Sequence, residues 1–363
     1  VAVSGKDAAG NTVSGNQTLN VDTDAPTLSV NAIAQDNIIN AAEHSQPLTL
    51  TGKTTAEAGQ IVTVTLNGKN YNATVGSDGN WSVTLAADDV QALNEGNHTL
   101  TVNVSDKAGN GSSVTADFTV DTTAPVVTID TVAGDDILNT SEQGQAQIIS
   151  GQTSGASAGD VVTVTVGGQS CTGVVLADGS WSAAVPSADV SAWPEGTVKI
   201  SVTGDSSAGN PITISHEVTV DLATVAISIN PIATDDVINA AEKGADLVLS
   251  GATTNVEAGQ TVVVKFADQT FTAQVQQDGS WSLTVPASAM ETLIDGRAQV
   301  SVSVTNVNGN SADASRVVTV DTLPPAITLD NLTSDNIINA AEAQQDLALS
   351  GTSTAEPGQT VTV

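Results

Sequence analysis

The stretch Ile61-Val62-Thr63-Val64-Thr65-Leu66-Asn67-Gly68 alternates apolar and polar side chains and ends in an Asn-Gly pair. Alternation at period two predicts a strand with one buried face. Asn-Gly is a strong signal for a hairpin turn, because both residues tolerate a positive φ. The partner strand follows as Asn72-Ala73-Thr74-Val75. This segment therefore predicts an antiparallel β-hairpin.

Alternating segments on both sides of this hairpin complete a domain. They are Thr27–Val30, Leu48–Thr51, Trp81–Leu85, Thr99–Val104 and Val114–Val120. Seven strands in about 100 residues with Gly-rich turns favour an antiparallel Ig-like β-sandwich. One short helical turn is predicted at Asp88–Leu93. The fold class is therefore all-β.

The same pattern recurs along the chain. Val-Asp pairs occur at Val21-Asp22, Val120-Asp121, Val220-Asp221 and Val320-Asp321. An apolar-Asn-x-x-Glu element, an Asp-Gly-x-Trp turn and a Gly-Asn loop keep the same register, which indicates tandem repeats. We predict the C-terminal part of one repeat (1–22), repeat 1 (23–121), repeat 2 (122–221), repeat 3 (222–321) and the N-terminal part of a further repeat (322–363). We expect this to be a fragment of a longer chain.

Short linkers connect the predicted repeats. Proline in Asp121-Thr122-Thr123-Ala124-Pro125 fixes φ and favours an extended backbone before it. The linker that starts at Asp221 lacks this proline, so we expect that joint to be softer. Linkers of this kind predict an end-to-end arrangement, which is a rod.

Composition excludes several function classes. The 363 residues contain 40 Asp and Glu against 9 Lys and Arg, a formal net charge of −31. Such a charge repels nucleic-acid phosphate and anionic lipid, and no apolar run has the length of a membrane span. We therefore expect no nucleic-acid partner and no membrane insertion of this fragment. A surface of this kind attracts cations.

No catalytic centre is apparent in the sequence. The three His residues occupy unrelated repeat positions, Cys171 has no His in register, and no Ser/His/Asp, His-Glu-x-x-His or phosphate-loop motif occurs. Polar residues that recur every 100 positions suit a structural device better than one active site. We predict that the protein is not an enzyme.

Carboxylates point to calcium at the joints. Ca²⁺ takes six to eight oxygen ligands from carboxylates, amides and carbonyls. The loop Asp36–Glu43 and the end of the last strand should lie at the same pole, facing the loop Asp205–Asn210 of the next repeat. Crowded carboxylates with few Lys or Arg nearby raise one another's pKa or need a metal. We predict Ca²⁺ at every joint, with core ligands Asp121, Asp221 and Asp321.

A second calcium site is predicted inside the acidic loop. The recurring side chains are Asp36, Asn37 and Glu43; Asp135, Asp136 and Glu142; Asp235, Asp236 and Glu242; and Asp335 and Glu342. The alternative is that the Asp and Asn side chains bond their own backbone and form turns, since Asn tolerates the left-handed conformation. For the Glu residues the alternative is an exposed acid.

Four tryptophans fall into two groups. Trp81, Trp181 and Trp281 recur in register, and we expect them in the cores. Trp193 stands beside Pro194, apart from that pattern. Sugar recognition usually uses an exposed aromatic platform, so Trp193 is the candidate sugar ligand residue, with local packing as the alternative.

The repeat period, the Val-Asp-Thr-x-Ala-Pro joint, the Asp-x-Ala-Gly-Asn loop and the Asp-Gly-x-Trp turn together resemble bacterial Ig-like repeats. The chain looks most like those of giant non-fimbrial adhesins exported by type I secretion, of the kind that enteric pathogens such as Salmonella use. This resemblance implies Ca²⁺ between and within domains, a bacterial cell-surface location and a role in virulence. It also implies that the binding end of the full-length adhesin contacts host-cell glycan or glycoprotein.

Carried over by position, the linker residues of these repeats match Asp22, Asp121, Asp221 and Asp321, with Asp24 beside the first of them. The family's loop Asp matches Asp7, Asp106 and Asp205. Asn306 takes that place in repeat 3 and removes a charge, so we expect weaker metal binding at the joint near Asp221.

The resulting hypothesis is a calcium-stiffened, monomeric rod or spacer of a secreted bacterial surface adhesin. One alternative is that the repeats themselves bind host carbohydrate. Another is the stalk of a biofilm or ice-binding adhesin, which shares this architecture.

Overall fold

The computed structural model describes residues 1–363. Its contacts divide the chain into two compact units: Val1–Asp136 with Gly144–Thr219, and Ile137–Gln143 with Val220–Val363. No helix in it is both long and apolar enough to span a membrane. The repeat boundaries that the Val-Asp register predicts remain predictions.

Repeat 1 is a two-layer antiparallel sandwich. One sheet has the order β3-β5-β8 and the other has the order β4-β10-β9-β6-β7. The helical segments are the 3-10 helix Ile33–Gln35, α1 (Ala41–His44) and α2 (Ala87–Gln91). The strands are β3 (Leu28–Val30), β4 (Ile38–Ile39), β5 (Leu48–Thr54), β6 (Ile61–Leu66), β7 (Lys69–Thr74), β8 (Asn80–Leu85), β9 (Gly96–Ser105) and β10 (Gly111–Val120).

The predicted all-β sandwich is confirmed, and all seven predicted strands are present in repeat 1. The hairpin turn at Asn67-Gly68 joins β6 to β7, with positive φ at both residues. The helical turn predicted at Asp88–Leu93 corresponds to α2. An eighth strand, β4, was not predicted. It has two residues, too few to show a period, and it pairs in parallel with the end of β10.

Repeat 2 has the same eight strands. One sheet has the order β11-β13-β16, and β18, β17, β14 and β15 are neighbours in the other. The helices are α3 (Thr140–Gln143) and α4 (Ser187–Val190). The strands are β11 (Val126–Val127), β12 (Ile137–Leu138), β13 (Gln147–Ser154), β14 (Val161–Val166), β15 (Gln169–Val174), β16 (Ser180–Val185), β17 (Gly196–Asp205) and β18 (Pro211–Val220).

Repeat 3 repeats the pattern again, with sheets β19-β21-β24 and β20-β26-β25-β22-β23. Its helical segments are Ile232–Thr234 and Ala287–Met290, both 3-10, and α5 (Ala240–Lys243). The strands are β19 (Ala226–Ile227), β20 (Val237–Asn239), β21 (Leu247–Thr254), β22 (Thr261–Phe266), β23 (Gln269–Gln274), β24 (Ser280–Val285), β25 (Gly296–Thr305) and β26 (Ser311–Asp321).

Both flanking segments contain parts of the same fold. At the N-terminus β1 (Ala2–Lys6) and β2 (Thr12–Asn16) form an antiparallel hairpin. At the C-terminus β27 (Ile327–Leu329) pairs with β28 (Gly351–Ser353), with a 3-10 helix at Glu342–Gln344.

Each core is built on a recurring tryptophan. Trp81, Trp181 and Trp281 are at most 2% exposed, as predicted. Each indole lies against a glycine of the neighbouring strand, because a Cβ on Gly52, Gly151 or Gly251 would approach ring atoms within 2.9 Å. This close packing of backbone on indole explains why glycine occupies that strand position in every repeat.

Candidate metal and repeat-joint site

The Asn residues of two Gly-Asn loops, Asn210 and Asn310, are the most buried polar residues near the predicted joints. Asn210 is 0% exposed and Asn310 is 4% exposed. An amide buried to this extent requires hydrogen-bond partners, since an unpaired polar group in an interior costs free energy. Their partners therefore show what these loops do.

Asn210 binds two groups of repeat 1. Its Nδ2 donates to the carbonyl oxygen of Asp121 at 2.8 Å, and its Oδ1 accepts from the backbone N–H of Ala41 at 2.9 Å. Ala41 is the first residue of α1, where backbone N–H groups have no partner inside the helix. One amide therefore satisfies a linker carbonyl and a helix terminus together.

Asn310 makes the same contacts one repeat later. Its Nδ2 donates to the carbonyl oxygen of Asp221 at 3.0 Å, and its Oδ1 accepts from the backbone N–H of Thr140 at 2.8 Å. The Thr140 hydroxyl donates to that Oδ1 as well, at 2.7 Å. We call these two sets of hydrogen bonds the joint amide contacts. Their recurrence shows that they belong to the repeat pattern.

Glycine before each buried Asn makes room for this contact. Gly209 has φ +79° and Gly309 has φ +84°, values that L side chains rarely adopt. A Cβ on Gly209 would lie 2.9 Å from Nδ2 of Asn40. Conformation and space both require glycine, which explains the recurring Gly-Asn pair.

The apolar-Asn-x-x-Glu element is a helix N-cap. Asn40 Oδ1 accepts from the N–H groups of Ala42 and Glu43, and Glu43 Oε2 accepts from the N–H of Asn40 at 3.1 Å. This reciprocal pair is a capping box, which satisfies backbone donors at the start of a helix. Glu142, Glu242 and Glu342 bond the N–H of their own Asn in the same way. Neither alternative for these Glu residues anticipated this role; their metal binding stays a prediction.

The linker Asp residues adjoin the joint amide contacts. The carbonyls of Asp22, Asp121 and Asp221 accept from Asn side chains. The carboxylates of all four linker Asp residues accept a backbone N–H two residues later. The N–H to Oδ1 distances are 3.1 Å at Asp22, whose donor is Asp24, 3.2 Å at Asp121, 2.9 Å at Asp221 and 3.3 Å at Asp321. Each carboxylate uses Oδ1 in this turn. At Asp221, Oδ2 accepts from Asn308 Nδ2 at 2.5 Å, which lowers the pKa of the carboxyl.

A second carboxylate beside two of the linkers was missed in the sequence. Glu95 accepts from the backbone N–H of Thr122 at 3.1 Å, and Asp295 accepts from that of Thr322 at 3.0 Å. The sequence does show an acidic residue directly before the first glycine of β9 and of β25, and this pattern could have identified them. Two carboxylates, Glu95 and Asp121 or Asp295 and Asp321, therefore flank each of these linkers.

The paired Asx residues of the acidic loop form turns. Asp36, Asp235 and Asp335 each accept the N–H two residues later, at 2.9–3.0 Å. The next residues, Asn37, Asp136, Asp236 and Asn336, have φ between 58° and 68°. Their Oδ1 atoms accept the N–H four residues earlier. Turn formation, one of the two sequence alternatives, is present; calcium at these residues and at Asp135 stays a prediction.

An arginine and a histidine face two of these Asp residues. Arg316 donates to both carboxylate oxygens of Asp236, at 2.6 and 2.5 Å, and His216 Nε2 lies 2.7 Å from Asp136. Repeat 1 has the neutral pair Asn37 and Ala116 in these places. At Asp236 the negative charge of the turn is thus matched by the guanidinium of the last strand, which leaves less need for a metal there.

We expect Arg316→Ala to raise the pKa of Asp236. Hydrogen bonds from Arg316 hold that pKa at about 2, below the ordinary 3.8. Ionised Asp236 therefore stabilises the fold above about pH 4, and this contribution is lost as pH falls through about 2. Carboxyl NMR titration of both proteins measures the shift. Arg297→Thr, a change outside this pair, serves as the control, and an unchanged pKa in Arg316→Ala would contradict the assignment.

Hydrogen bonds in the Gly-Asn loops correct the repeat position that the sequence assigned to Asp205. The backbone pairs of Asp106 with Asn110, of Ser206 with Asn210 and of Asn306 with Asn310 are equivalent. Ser206, and not Asp205, therefore stands where Asp106 stands, and Asp205 is the last residue of β17. Asp106 itself accepts from the N–H and Nδ2 of Asn110, at 2.8 and 2.9 Å, which lowers its pKa.

The expected crowding of acids at the joints is not observed. Across residues 1–363, no three His, Cys, Asp or Glu side chains are grouped so that they could hold one ion. A calcium ion at a linker would therefore need amide, hydroxyl or carbonyl oxygens beside the two flanking carboxylates, a mixture that Ca²⁺ accepts. With such additional oxygen ligands, the predicted calcium ligands at the linkers remain Asp22, Asp24, Asp121, Asp221 and Asp321.

Trp193 is not a sugar platform. Its side chain is 3% exposed, and it occupies the position of Leu93 and Leu293. It therefore fits the repeat pattern as a larger core residue, and the prediction of a ligand-binding role was wrong.

Comparison with known proteins places these features in a family. Residues 29–122 match the family model described as bacterial Ig-like domain. A Ca²⁺-stabilised adhesin of an Antarctic bacterium that binds ice is 34% identical, over 91% of this chain and 82% of its own, with a TM-score of 0.44.

Two further solved structures are similar. A structure from a 1.5-MDa bacterial ice-binding adhesin is 31% identical over 85% of this chain and 100% of its own, with a TM-score of 0.45. A tetra-tandem repeat from the extending region of a large adhesion protein is 27% identical over 90% and 80%, with a TM-score of 0.30. No curated protein matches the chain.

Proposed function

Since this chain belongs to the bacterial Ig-like domains that form tandem repeats in large bacterial adhesins, we propose that it is a spacer segment of such an adhesin. In this proposal the repeats act as an end-to-end rod that holds a binding region away from the bacterial surface. The extending-region origin of one similar structure supports this role. Binding of host-cell glycan or glycoprotein belongs to the full-length protein.

The observation that carries this proposal is the recurring joint amide contact. Asn210 and Asn310 each tie a loop of one repeat to the linker and helix terminus of the repeat before it. A buried hydrogen bond at each end of a side chain restrains the orientation of the groups that it joins. A spacer requires such restraint at successive joints, whereas an enzyme requires one set of catalytic residues in one place.

Calcium stiffening is the second part of the proposal. Two carboxylates flank the linkers after repeats 1 and 3, and the similar Antarctic adhesin is Ca²⁺-stabilised. Extracellular Ca²⁺ is millimolar, which suits sites with dissociation constants on the order of 10⁻⁴–10⁻³ M. Binding to the aligned state would stabilise that state by mass action. We propose secretion by the type I route, a cell-surface location and a monomeric state, as in the Salmonella adhesins that the motifs resemble.

A stalk of an ice-binding adhesin is the second candidate. Two of the similar structures come from ice-binding adhesins, at 34% and 31% identity. The spacer mechanism is the same in both cases, and the difference lies in what the full-length protein binds.

Small-angle X-ray scattering tests the calcium part directly. We expect the maximum dimension of the chain to be longer in millimolar CaCl₂ than in EDTA. The matched control is Asp121→Asn with Asp321→Asn, because asparagine keeps the Oδ1 that accepts the linker N–H but removes the charge. This variant should resemble the parent in EDTA and lose the part of the calcium response that comes from the joints at Asp121 and Asp321. An identical profile of the parent in EDTA and CaCl₂ would reject calcium stiffening.

A further inference from the structure

Repeat 3 carries an open groove that contains two cations in an otherwise strongly acidic chain. The groove has a volume of about 750 Å³ and is lined by Lys265, Arg297, Gln269, Gln299 and Ser301, among others. One carboxylate, that of Asp268, also lines it. Local charge in the groove is therefore positive, although the chain has a net charge of −31.

The two cations are free to bind a ligand. Neither Lys265 nor Arg297 forms an ion pair or side-chain hydrogen bond within residues 1–363, whereas Arg316 and Lys69 pair with carboxylates. Both side chains are exposed. In a protein with this excess of acid, an unpaired cation has many possible partners. Two unpaired cations in one groove therefore require an explanation.

The combination of cations at these two positions is specific to repeat 3. Thr65 and Thr165 occupy the position of Lys265, and Asn97 and Thr197 occupy that of Arg297. In the other repeats the hydroxyl at the position of Lys265 is hydrogen-bonded across the sheet, since Thr65 bonds Asn70 at 2.8 Å and Thr165 bonds Ser170 at 2.9 Å. In repeat 3, a threonine whose hydroxyl is hydrogen-bonded within the sheet is thus replaced by Lys265, and both Lys265 and Arg297 extend into solvent.

The sheet geometry sets the spacing of the cations. Lys265 pairs with Ser301 on β25, and Arg297 lies four residues before Ser301 on the same face of that strand. At about 3.4 Å per residue, the two backbone positions are roughly 14 Å apart. With both side chains extended, a single small anion would not contact Lys265 and Arg297 together. A chain that carries repeated carboxylates would contact both. Gln299 and Ser301 lie between them and offer hydrogen bonds to hydroxyl groups.

The position of the groove disfavours an extended peptide. The edge strand β23, which carries Gln269, lies at one side of the groove, but the floor between the two cations is formed by β22 and β25, which are interior strands of the five-stranded sheet. Their backbone groups pair with neighbouring strands, so a peptide could not add to the sheet there by backbone hydrogen bonds. Besides the carboxylate of Asp268, a ligand meets cations, amides and hydroxyls, together with the 83% exposed Ile294 at one side.

We propose that this groove of repeat 3 binds a polysaccharide with repeated carboxylates, that is, a polyuronate. Lys265 and Arg297 bind two of its carboxylates by charge-assisted hydrogen bonds. Gln269, Gln299 and Ser301 bind sugar hydroxyls. This site goes beyond the spacer role, and it uses none of the joint residues.

Isothermal titration calorimetry with oligogalacturonate at about 0.15 M salt tests the proposal, because salt screens the long-range repulsion between this polyanion and a chain of net charge −31. The parent chain is compared with Lys265→Thr/Arg297→Thr, which installs residues that repeat 2 already tolerates in these places. Chelator is present so that calcium does not bridge carboxylates. We expect the dissociation constant of the variant to be about tenfold higher, because two charge-assisted contacts are lost.

Thr165→Lys/Thr197→Arg in repeat 2 provides the reciprocal variant and should add a second binding site. A neutral malto-oligosaccharide should not bind the parent chain. Equal affinity of the parent and of Lys265→Thr/Arg297→Thr for oligogalacturonate would overturn the site. If poly-L-glutamate bound as tightly as oligogalacturonate, the saccharide assignment would be wrong. Neither outcome affects the scattering test of the spacer, which concerns the linkers.

Discussion

Asn210→Ala should speed hydrogen exchange at the Ala41 amide and lower the stability of the joint between repeats 1 and 2. The substitution removes the acceptor of the Ala41 N–H and the donor to the Asp121 carbonyl. A typical hydrogen bond contributes about 0.5–1.5 kcal/mol net and both contacts are partly buried, so we expect a loss of roughly 1–3 kcal/mol. Hydrogen-exchange mass spectrometry of the α1 region and calorimetry of the whole chain measure the two effects.

Two variants serve as controls for this prediction. Asn11→Ala changes the equivalent loop of β1 and β2, where Asn11 is exposed and bonds only within its own loop. It should leave exchange at Ala41 unchanged. Asn210→Asp keeps the acceptor for Ala41 but removes the donor to Asp121, so it should protect Ala41 partly. Parental exchange rates at Ala41 in Asn210→Ala would show that this contact does not hold the joint.

Gly251→Ala should destabilise repeat 3 by about 3 kcal/mol or more. Its Cβ would lie 1.8 Å from the carbonyl oxygen of Ser228 and 2.6 Å from Nε1 of Trp281. Either β19 or the indole must move, and the hydrogen bond from Trp281 Nε1 to that same oxygen, at 3.1 Å, is then lost. Overpacking of a core costs about 1–3 kcal/mol, occasionally more, and a buried hydrogen bond adds to this.

Urea denaturation followed by tryptophan fluorescence measures this loss. Gly244→Ala is the matched control in the same repeat, because its φ is −84° and its Cβ would meet nothing closer than 3.5 Å. We expect Gly244→Ala to be nearly neutral. Similar midpoints for the two variants would show that the close approach at Gly251 carries no strain.

The strands of each repeat could be predicted because their evidence is local. Alternation in Ile61–Leu66 and the Asn67-Gly68 turn depend on a few neighbouring residues, and every repeat offers the same pattern again. The two-residue strand β4 escaped prediction because a period cannot be recognised in Ile38–Ile39. The position of Trp193 was misjudged for a different reason: it has no tryptophan counterpart, but its place is that of a core leucine.

The candidate site was predicted only in outline. The sequence pointed to the linker Asp residues and the Gly-Asn loops, and both adjoin the joint amide contacts. It could not say that Glu43 caps a helix or that Glu95 meets the linker. A carboxylate has the same appearance in a sequence whether it caps a helix, closes a turn or binds a metal.

By itself, the sequence determined the all-β class, the period near 100 residues and the tryptophan cores, since short-range periodicity and turn chemistry specify them. Only the tertiary structure decided that Asn210 and Asn310 are buried and that their partners lie 169 and 170 residues away, in Ala41 and Thr140. It also decided that Lys265 and Arg297 share one groove. Such pairings depend on which loops and strands the fold brings together, a property that no local pattern contains.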